Sequence, residues 1–271
     1  MKTKLIILAL VMACVFPGVS QKKQDNPIKT EYRLEEKIPY RDALKENLDD
    51  YAVKNCQLDL YYPVNKKGFA TVVWFHGGGL SGGNKEIPEI LKNQGYAVVG
   101  VEYRKNPQVK CPVYIEDAAA SVAWVFEHIE RYGGDQGKIF LSGHSAGGYL
   151  DLMLTLDKRW LAKHGIDAAK IAGVIPLSPQ VITHFKIRDE RGIMDTQVVV
   201  DEFAPIHHLS KDLPPIVIIT GDRELEMLGR YEENAYFVRM MKLTGNPRIR
   251  LFELEGFGHS AMKDPGLYLL L

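Results

Sequence analysis

Short, almost continuously apolar runs recur along this chain, and they limit its fold more than any other feature. "ATVVWFH" (70–76), "YAVVGVEY" (96–103), "KIFLSG" (138–143), "IAGVIPL" (171–177) and "PIVIIT" (215–220) have the length of strands and little polar alternation. Such runs suit a parallel sheet covered on both faces, where neither side of the strand meets water. "CQLDLYYP" (56–63) alternates like a half-buried strand, and "IRLFELEG" (249–256) reads as a last strand. Helical periodicity fills the gaps: "EIPEILKNQG" stops at Gly95, "EDAAASVAWVFEHIERYGG" at Gly133 and Gly134, and "GRYEENAYFVRMMKLTG" at Gly245. Glycine just past a periodic run is a helix C-cap signal. Strands alternating with helices predict a doubly wound, mostly parallel sheet of about eight strands with helices on both faces.

The bulk numbers agree with one such domain. The chain has 271 residues, 46% hydrophobic and 25% charged, with no internal repeat. Residues 31–271 read as a single α/β domain. From 180 to 213 the rhythm breaks without losing apolar content, which predicts a cap or lid segment. Within it Phe185, Arg188 and Phe203 are candidates either to pack the cap or to line an acyl or sugar pocket.

The N-terminus has a separate logic. "MKTKLIILALVMACVFPGVSQ" carries two lysines, an apolar stretch and then small residues, the layout of a secretory signal peptide. Residues 1–20 are expected to be cleaved after Ser20, which implies export; lipidation at Cys14 is the alternative. Residues 21–30 read as a flexible lead-in. Removing Lys2 and Lys4 from 34 basic and 34 acidic side chains leaves 32 against 34. That balance offers no broad basic face for nucleic acid, and the leader is too short for a comfortable permanent membrane span. Export leaves Cys56 and Cys111, which could pair or stay separate and buried.

Two glycine-rich segments fall at the carboxyl ends of predicted strands, where open α/β sheets bind ligands. In "FLSGHSAGGY", Gly143-His144-Ser145-Ala146-Gly147 is a G-x-S-x-G sequence between a strand and the helix-compatible "YLDLMLTL". A turn this tight lifts the Ser145 hydroxyl clear of the sheet and puts the Ala146 N–H at a helix N-terminus. The earlier segment, "WFHGGGLSGG" (74–83), lets the N–H groups of Gly77 and Gly78 approach the same point. Each donor aimed at a tetrahedral oxyanion is worth about 3 kcal/mol of barrier.

A nucleophilic serine needs a base, and "FELEGFGHSAM" supplies His259 after the last strand. The third member must hold the imidazole in one tautomer. "PPIVIITGDRELEML" offers Asp222, Glu224 and Glu226 after Gly221, and at least two of these could be plain solvated acids opening a helix. His144 reads as structural, and His207 and His208 lack any carboxylate spacing that would suggest a metal site.

Taken together, "HGGG", the "EYR" at Glu102–Arg104, Asp117, "GGDQGKIFLSGHSAGG" and "GFGH" resemble the α/β-hydrolase esterase/lipase superfamily over about residues 55 to 265. They are most similar to the branch of hormone-sensitive-lipase-like, feruloyl- or acetyl-xylan-esterase-like and arylformamidase-like enzymes. The resemblance implies an α/β-hydrolase fold and a serine carboxylesterase needing no metal or organic cofactor. Its substrate would be an acyl ester on a carbohydrate or a small aromatic. In that family the acid falls third after the glycine, which selects Glu224, with Asp222 as the alternate. Tyr103, Arg104 and Asp117 are expected to brace the sheet. A formamidase or amidase using the same triad is one rival, and a binding module without catalysis is another.

Overall fold

The computed structural model describes residues 29–271, so the signal peptide, Cys14 and nearly all of the expected lead-in lie outside the described residues. Among the described residues, eight strands form one sheet in the order β1-β2-β4-β3-β5-β6-β7-β8. They are β1 (Tyr32–Pro39), β2 (Gln57–Pro63), β3 (Phe69–Phe75), β4 (Ala97–Val101), β5 (Gly134–His144), β6 (Gly173–Leu177), β7 (Ile216–Gly221) and β8 (Ile249–Leu254). β1 and β2 run antiparallel at one edge, and β3 to β8 are parallel. This is the mostly parallel, eight-stranded α/β sheet that the apolar runs predict. Strand β1 was not among them. Its polar alternation leaves it half exposed at the edge, where only one neighbour pairs with it.

Alternation along each strand divides the core between the two faces. Val73 and Phe75 of β3 belong to the larger cluster, while Val72 and Trp74 join Leu91, Val98, Leu177, Ile219, Met262 and Leu267 on the other face. The helices, in order, are α1 (Asp50–Asn55), α2 (Val113–Tyr132), α3 (Ala146–Leu156), α4 (Arg159–Ala162), α5 (Phe185–Glu190), α6 (Arg230–Leu243) and α7 (Lys263–Leu267). Helix α2 ends at Gly133 in the left-handed conformation (φ 100°), as the glycine stop predicts. α3 is buried along its whole length.

One expected helix is absent. "EIPEILKNQG" forms only a 3₁₀ turn, Glu89–Leu91. Pro88 disfavours helical geometry at Ile87 before it, and Leu91 alone of that turn is buried. The 180–213 segment carries α5 and a 3₁₀ turn, Pro205–His208, joined by irregular chain. Phe203 packs against the core and its carbonyl accepts from the Tyr149 hydroxyl.

The brace residues fall where the sequence placed them. The Asp117 carboxylate, fully buried, accepts from Arg41 Nε (3.0 Å), Arg104 Nη2 (2.7 Å) and the Arg104 N–H (3.1 Å). It ties the segment after β4 to α2 and to the edge. Cys56 and Cys111 are free thiols, one buried and the other half-buried. Among the described residues no helix is long and apolar enough to cross a membrane, and no cluster of His, Cys, Asp or Glu could hold a metal ion.

Candidate active site

Strand β5 passes directly into α3 through Ser145, which takes φ 56° and ψ −112°. A non-glycine residue there is strained, and strain of this kind gathers at functional turns. The turn survives because its flanks carry no side chain: a Cβ on Gly147 would lie 2.0 Å from the Phe75 carbonyl oxygen. The Ser145 N–H is spent on Leu177 O of the neighbouring strand (2.8 Å), which pins the elbow to β6.

The loop after β3 comes up beside it. A Cβ on Gly77 would meet His144 Nδ1 at 3.1 Å and Ser145 Cβ at 3.5 Å, so the backbone of 77 lies against the serine. Gly78 has φ 118°, a conformation that L side chains rarely adopt. Neither Gly77 nor Gly78 gives its N–H to an acceptor among the described residues. The loop is held from beneath. His76 Nε2 lies 3.1 Å from Glu102 Oε1, the Tyr103 hydroxyl donates to His76 O at 2.9 Å, and Lys105 Nζ and the Lys85 N–H donate to Glu102. Burial would raise the Glu102 carboxyl, yet hydrogen bonds from His76 and Lys105 bring it down to about 2.

His259 stands in the turn after β8. Its Nε2 accepts from Ser145 Oγ at 2.9 Å, and its Nδ1–H donates to Glu226 Oε2 at 2.8 Å. The acid is therefore corrected: neither Glu224 nor Asp222 reaches the imidazole. Asp222 works as a local clasp, its Oδ1 accepting from the Glu224 N–H (2.9 Å) and its Oδ2 from the Gly256 N–H (2.7 Å). The N–H groups of Leu225 and Glu226 donate to Asp222 O, so residues 222–226 curl into one tight turn. That turn leaves Glu224 in solvent and brings Glu226 back over the end of β7, where the Gly221 N–H donates to its Oε1 at 3.0 Å.

Two further residues complete the array. Ser178, at the end of β6, donates from Oγ to Glu226 Oε1 at 2.6 Å and lies 3.0 Å from His259 Nδ1. It too has positive φ, 47°, and is clamped by its N–H on Ile219 O and by Arg230 Nη1 on its carbonyl. Burial opposes ionisation of Glu226, but the hydrogen bonds from His259 and Ser178 prevail and hold it at about 2. A carboxylate ionised at neutral pH is what stabilises an imidazolium beside it. His144 donates from Nε2 to the His259 carbonyl at 2.8 Å, the structural part its position in the elbow suggests. Burial, with His259 beside it, pushes His144 down to about 4.

Around this array lies a cleft of about 670 Å³ lined by His76 to Gly79, Ser145, Phe185, Met227, His259 and Lys263. Lys263 Nζ pairs with Glu86 across its wall at 3.1 Å. His207 and His208 sit away from this cleft, and His208 Nε2 donates to Glu202 O. A hydroxyl in contact with an imidazole, an ionised carboxylate behind it and free backbone donors beside it can perform acyl transfer.

An α/β-hydrolase sheet carrying a Ser–His–carboxylate array at its strand ends is the class that fold and site define. A model of the family described as BD-FAE matches residues 58–175. "Esterase LipC" of Mycobacterium tuberculosis is 24% identical over 204 residues, 69% of this chain and 50% of that protein. "Probable carboxylesterase 7" of Arabidopsis thaliana is 30% identical over 173 residues, 56% and 54% of the two chains. This chain thus spans about half the length of these relatives. Among solved structures, the native esterase Est2 of Thermogutta terrifontis superposes with TM-score 0.65 at 23% identity, covering 90% of both chains. A truncated carbohydrate esterase from gut microbiota gives 0.69 at 16% identity, covering 90% and 97%. The chain therefore has the α/β-hydrolase fold, and over part of its length its sequence is similar to esterases and carboxylesterases.

Proposed function

We propose that the protein is a serine carboxylesterase in which Ser145 is the nucleophile, His259 the base and Glu226 the acid. The observation that carries this reading is the unbroken contact from Ser145 Oγ to His259 Nε2 (2.9 Å) and from His259 Nδ1 to Glu226 (2.8 Å). His259 takes the hydroxyl proton as Oγ bonds to the acyl carbon. The oxyanion then gains the N–H groups of Gly77, Gly78 and Ala146. Collapse breaks the acyl C–O bond, and the imidazolium returns the proton to the leaving alcohol. Water, deprotonated by His259, attacks the acyl-enzyme and releases the acid, freeing Ser145.

Every group that this cycle uses is a protein side chain or backbone amide, so it calls for no metal or organic cofactor. A carbohydrate or small aromatic ester remains our substrate reading. The carbohydrate esterase among the structural neighbours and the polar wall of Glu86 and Lys263 support it. The leader sequence supports export to a secreted or periplasmic location. A complete triad speaks against the binding-module rival. Incubating the protein with a fluorophosphonate probe and with p-nitrophenyl acetate tests the reading: covalent labelling and hydrolysis are expected, and loss of neither on Ser145→Ala would overturn it. Formanilide beside the acetyl ester separates esterase from formamidase, with the ester expected to be the faster by kcat/KM.

A further inference from the structure

A second cavity, of about 610 Å³, adjoins the catalytic cleft and shares Phe185 and Met227 with it. Ile182, Val198 and Leu228 also line it, and Val198 and Leu228 are 70% and 81% exposed. With Phe185, Met227 and Ile182 they give the cavity an apolar wall that is partly open to water.

This cavity also holds a buried cation that no carboxylate among the described residues contacts. Arg188 of α5 is only 2% exposed. Its Nη1 donates to the carbonyls of Asp195 and Gln197. Its Nε has no partner and is shut off from water, and among the described residues Nη2 makes no hydrogen bond and no carboxylate lies within 4 Å. The neighbouring acids are otherwise engaged or solvated. Glu233 pairs with Arg230 Nε (2.9 Å) and accepts the N–H groups of Val181 and Ile182. Asp195 and Glu232 are exposed on the rim, where water and salt screen them. Burial of the guanidinium pushes its pKa down, and the more distant charges of Glu233 and Asp195 only partly offset this. A buried ionised group is normally paired, because removing it from water is costly.

We propose that this cavity is a substrate subsite. It takes an apolar limb of the ester that ends in a carboxylate, with Arg188 supplying the counter-charge. This rests on the esterase reading and narrows its substrate class to half-esters of diacids or esters of hydroxy acids. The apolar wall covers the limb, and the acid reaches Nη2, the guanidinium donor left over by the two carbonyls.

The test compares length-matched pairs on the full chain. On the acyl side, p-nitrophenyl half-esters of glutarate, adipate and suberate are set against pentanoate, hexanoate and octanoate. On the alcohol side, 4-carboxybenzyl acetate is set against benzyl acetate. In at least one series the wild type should favour the carboxylate by roughly tenfold or more in kcat/KM. Arg188→Gln should cut that ratio at least tenfold, and Arg188→Lys should keep part of it. Arg188 also ties down residues 195 and 197, so Leu228→Trp provides a second handle. By crowding the cavity mouth it should lower the suberate-to-acetate ratio. No carboxylate preference in either series, or a preference that survives both Arg188→Gln and Leu228→Trp, overturns the subsite. Hydrolysis of p-nitrophenyl acetate separates the two failures. If it proceeds without any carboxylate preference only the subsite falls; if it is absent the esterase reading falls, and the subsite with it.

Discussion

Ser178 and His259 both address the Glu226 carboxylate, the hydroxyl on Oε1 at 2.6 Å and the imidazole on Oε2 at 2.8 Å. The acid is thus fixed by two different strands' ends rather than by His259 alone. The Ser178 O–H draws charge from the carboxylate and so moderates its pull on the imidazolium. Removing it should raise the acidic limb of the kcat/KM profile toward higher pH and lower kcat by roughly 3- to 30-fold. Because Ser178 has φ 47°, Ser178→Gly relieves the backbone while Ser178→Ala does not. If the hydroxyl acts on Glu226, both variants shift the pH profile alike. A shift confined to Ser178→Gly would assign the effect to relief of backbone strain.

The three neighbouring acids should separate cleanly. Glu226→Gln is expected to lower kcat by about 10³- to 10⁴-fold, since the amide no longer accepts from His259 in the right tautomer. Glu224→Gln, in solvent, should stay within about threefold of wild type. Asp222→Asn should act on the turn, through the lost clasp on Gly256 N–H, and show as a lower Tm more than as a lower rate. Steady-state kinetics and thermal melts on the three variants decide it.

Acid should weaken the fold over a defined window. Glu226 and Glu102 each sit at about 2 in the folded chain, below their ordinary value near 4.5. A carboxylate lowered on folding contributes stability that is complete above its unfolded pKa and fades as pH falls through the folded one. His144, held neutral and lowered to about 4, adds a loss in the same direction as pH drops below about 6.5. The Tm is therefore expected to fall progressively from about pH 6 to pH 2, and Glu226→Gln should reduce the steepness between 4.5 and 2. A Tm flat across that range would contradict the assignment.

Asp117 gives a stability prediction away from the chemistry. Asp117→Asn leaves Arg104 without its carboxylate and Arg41 with Glu46 alone, and the cost is expected to be about 3 kcal/mol by chemical denaturation. The fraction that remains folded should keep its kcat, because Asp117 touches neither Ser145 nor His259.

The contrast between Ser145 and Glu226 explains what could be read from the chain. The elbow is local. Strand, tight turn and helix are contiguous, and two glycines flank the serine because a Cβ there would strike the backbone. His259 is nearly as local, standing in a glycine-flanked turn after a strand. The acid depends on how residues 222–226 curl: the spacing of the resembling family points to Glu224, with Asp222 as the alternate, whereas the clasp of Asp222 on Gly256, 34 residues away, folds the turn so that Glu226 meets the imidazole. Ser178 carried only a weak signal, a lone serine before a proline at a strand end. Strand β1 escaped notice because an edge strand with polar faces lacks the apolar run that marked its neighbours.

The most direct test is intact-mass spectrometry of protein quenched during turnover of p-nitrophenyl acetate. One acetyl group, mapped to Ser145 by peptide analysis and absent from Ser145→Ala together with at least about a thousandfold of the rate, is the predicted result. Undiminished turnover in Ser145→Ala, with no adduct on the wild type, would contradict the account.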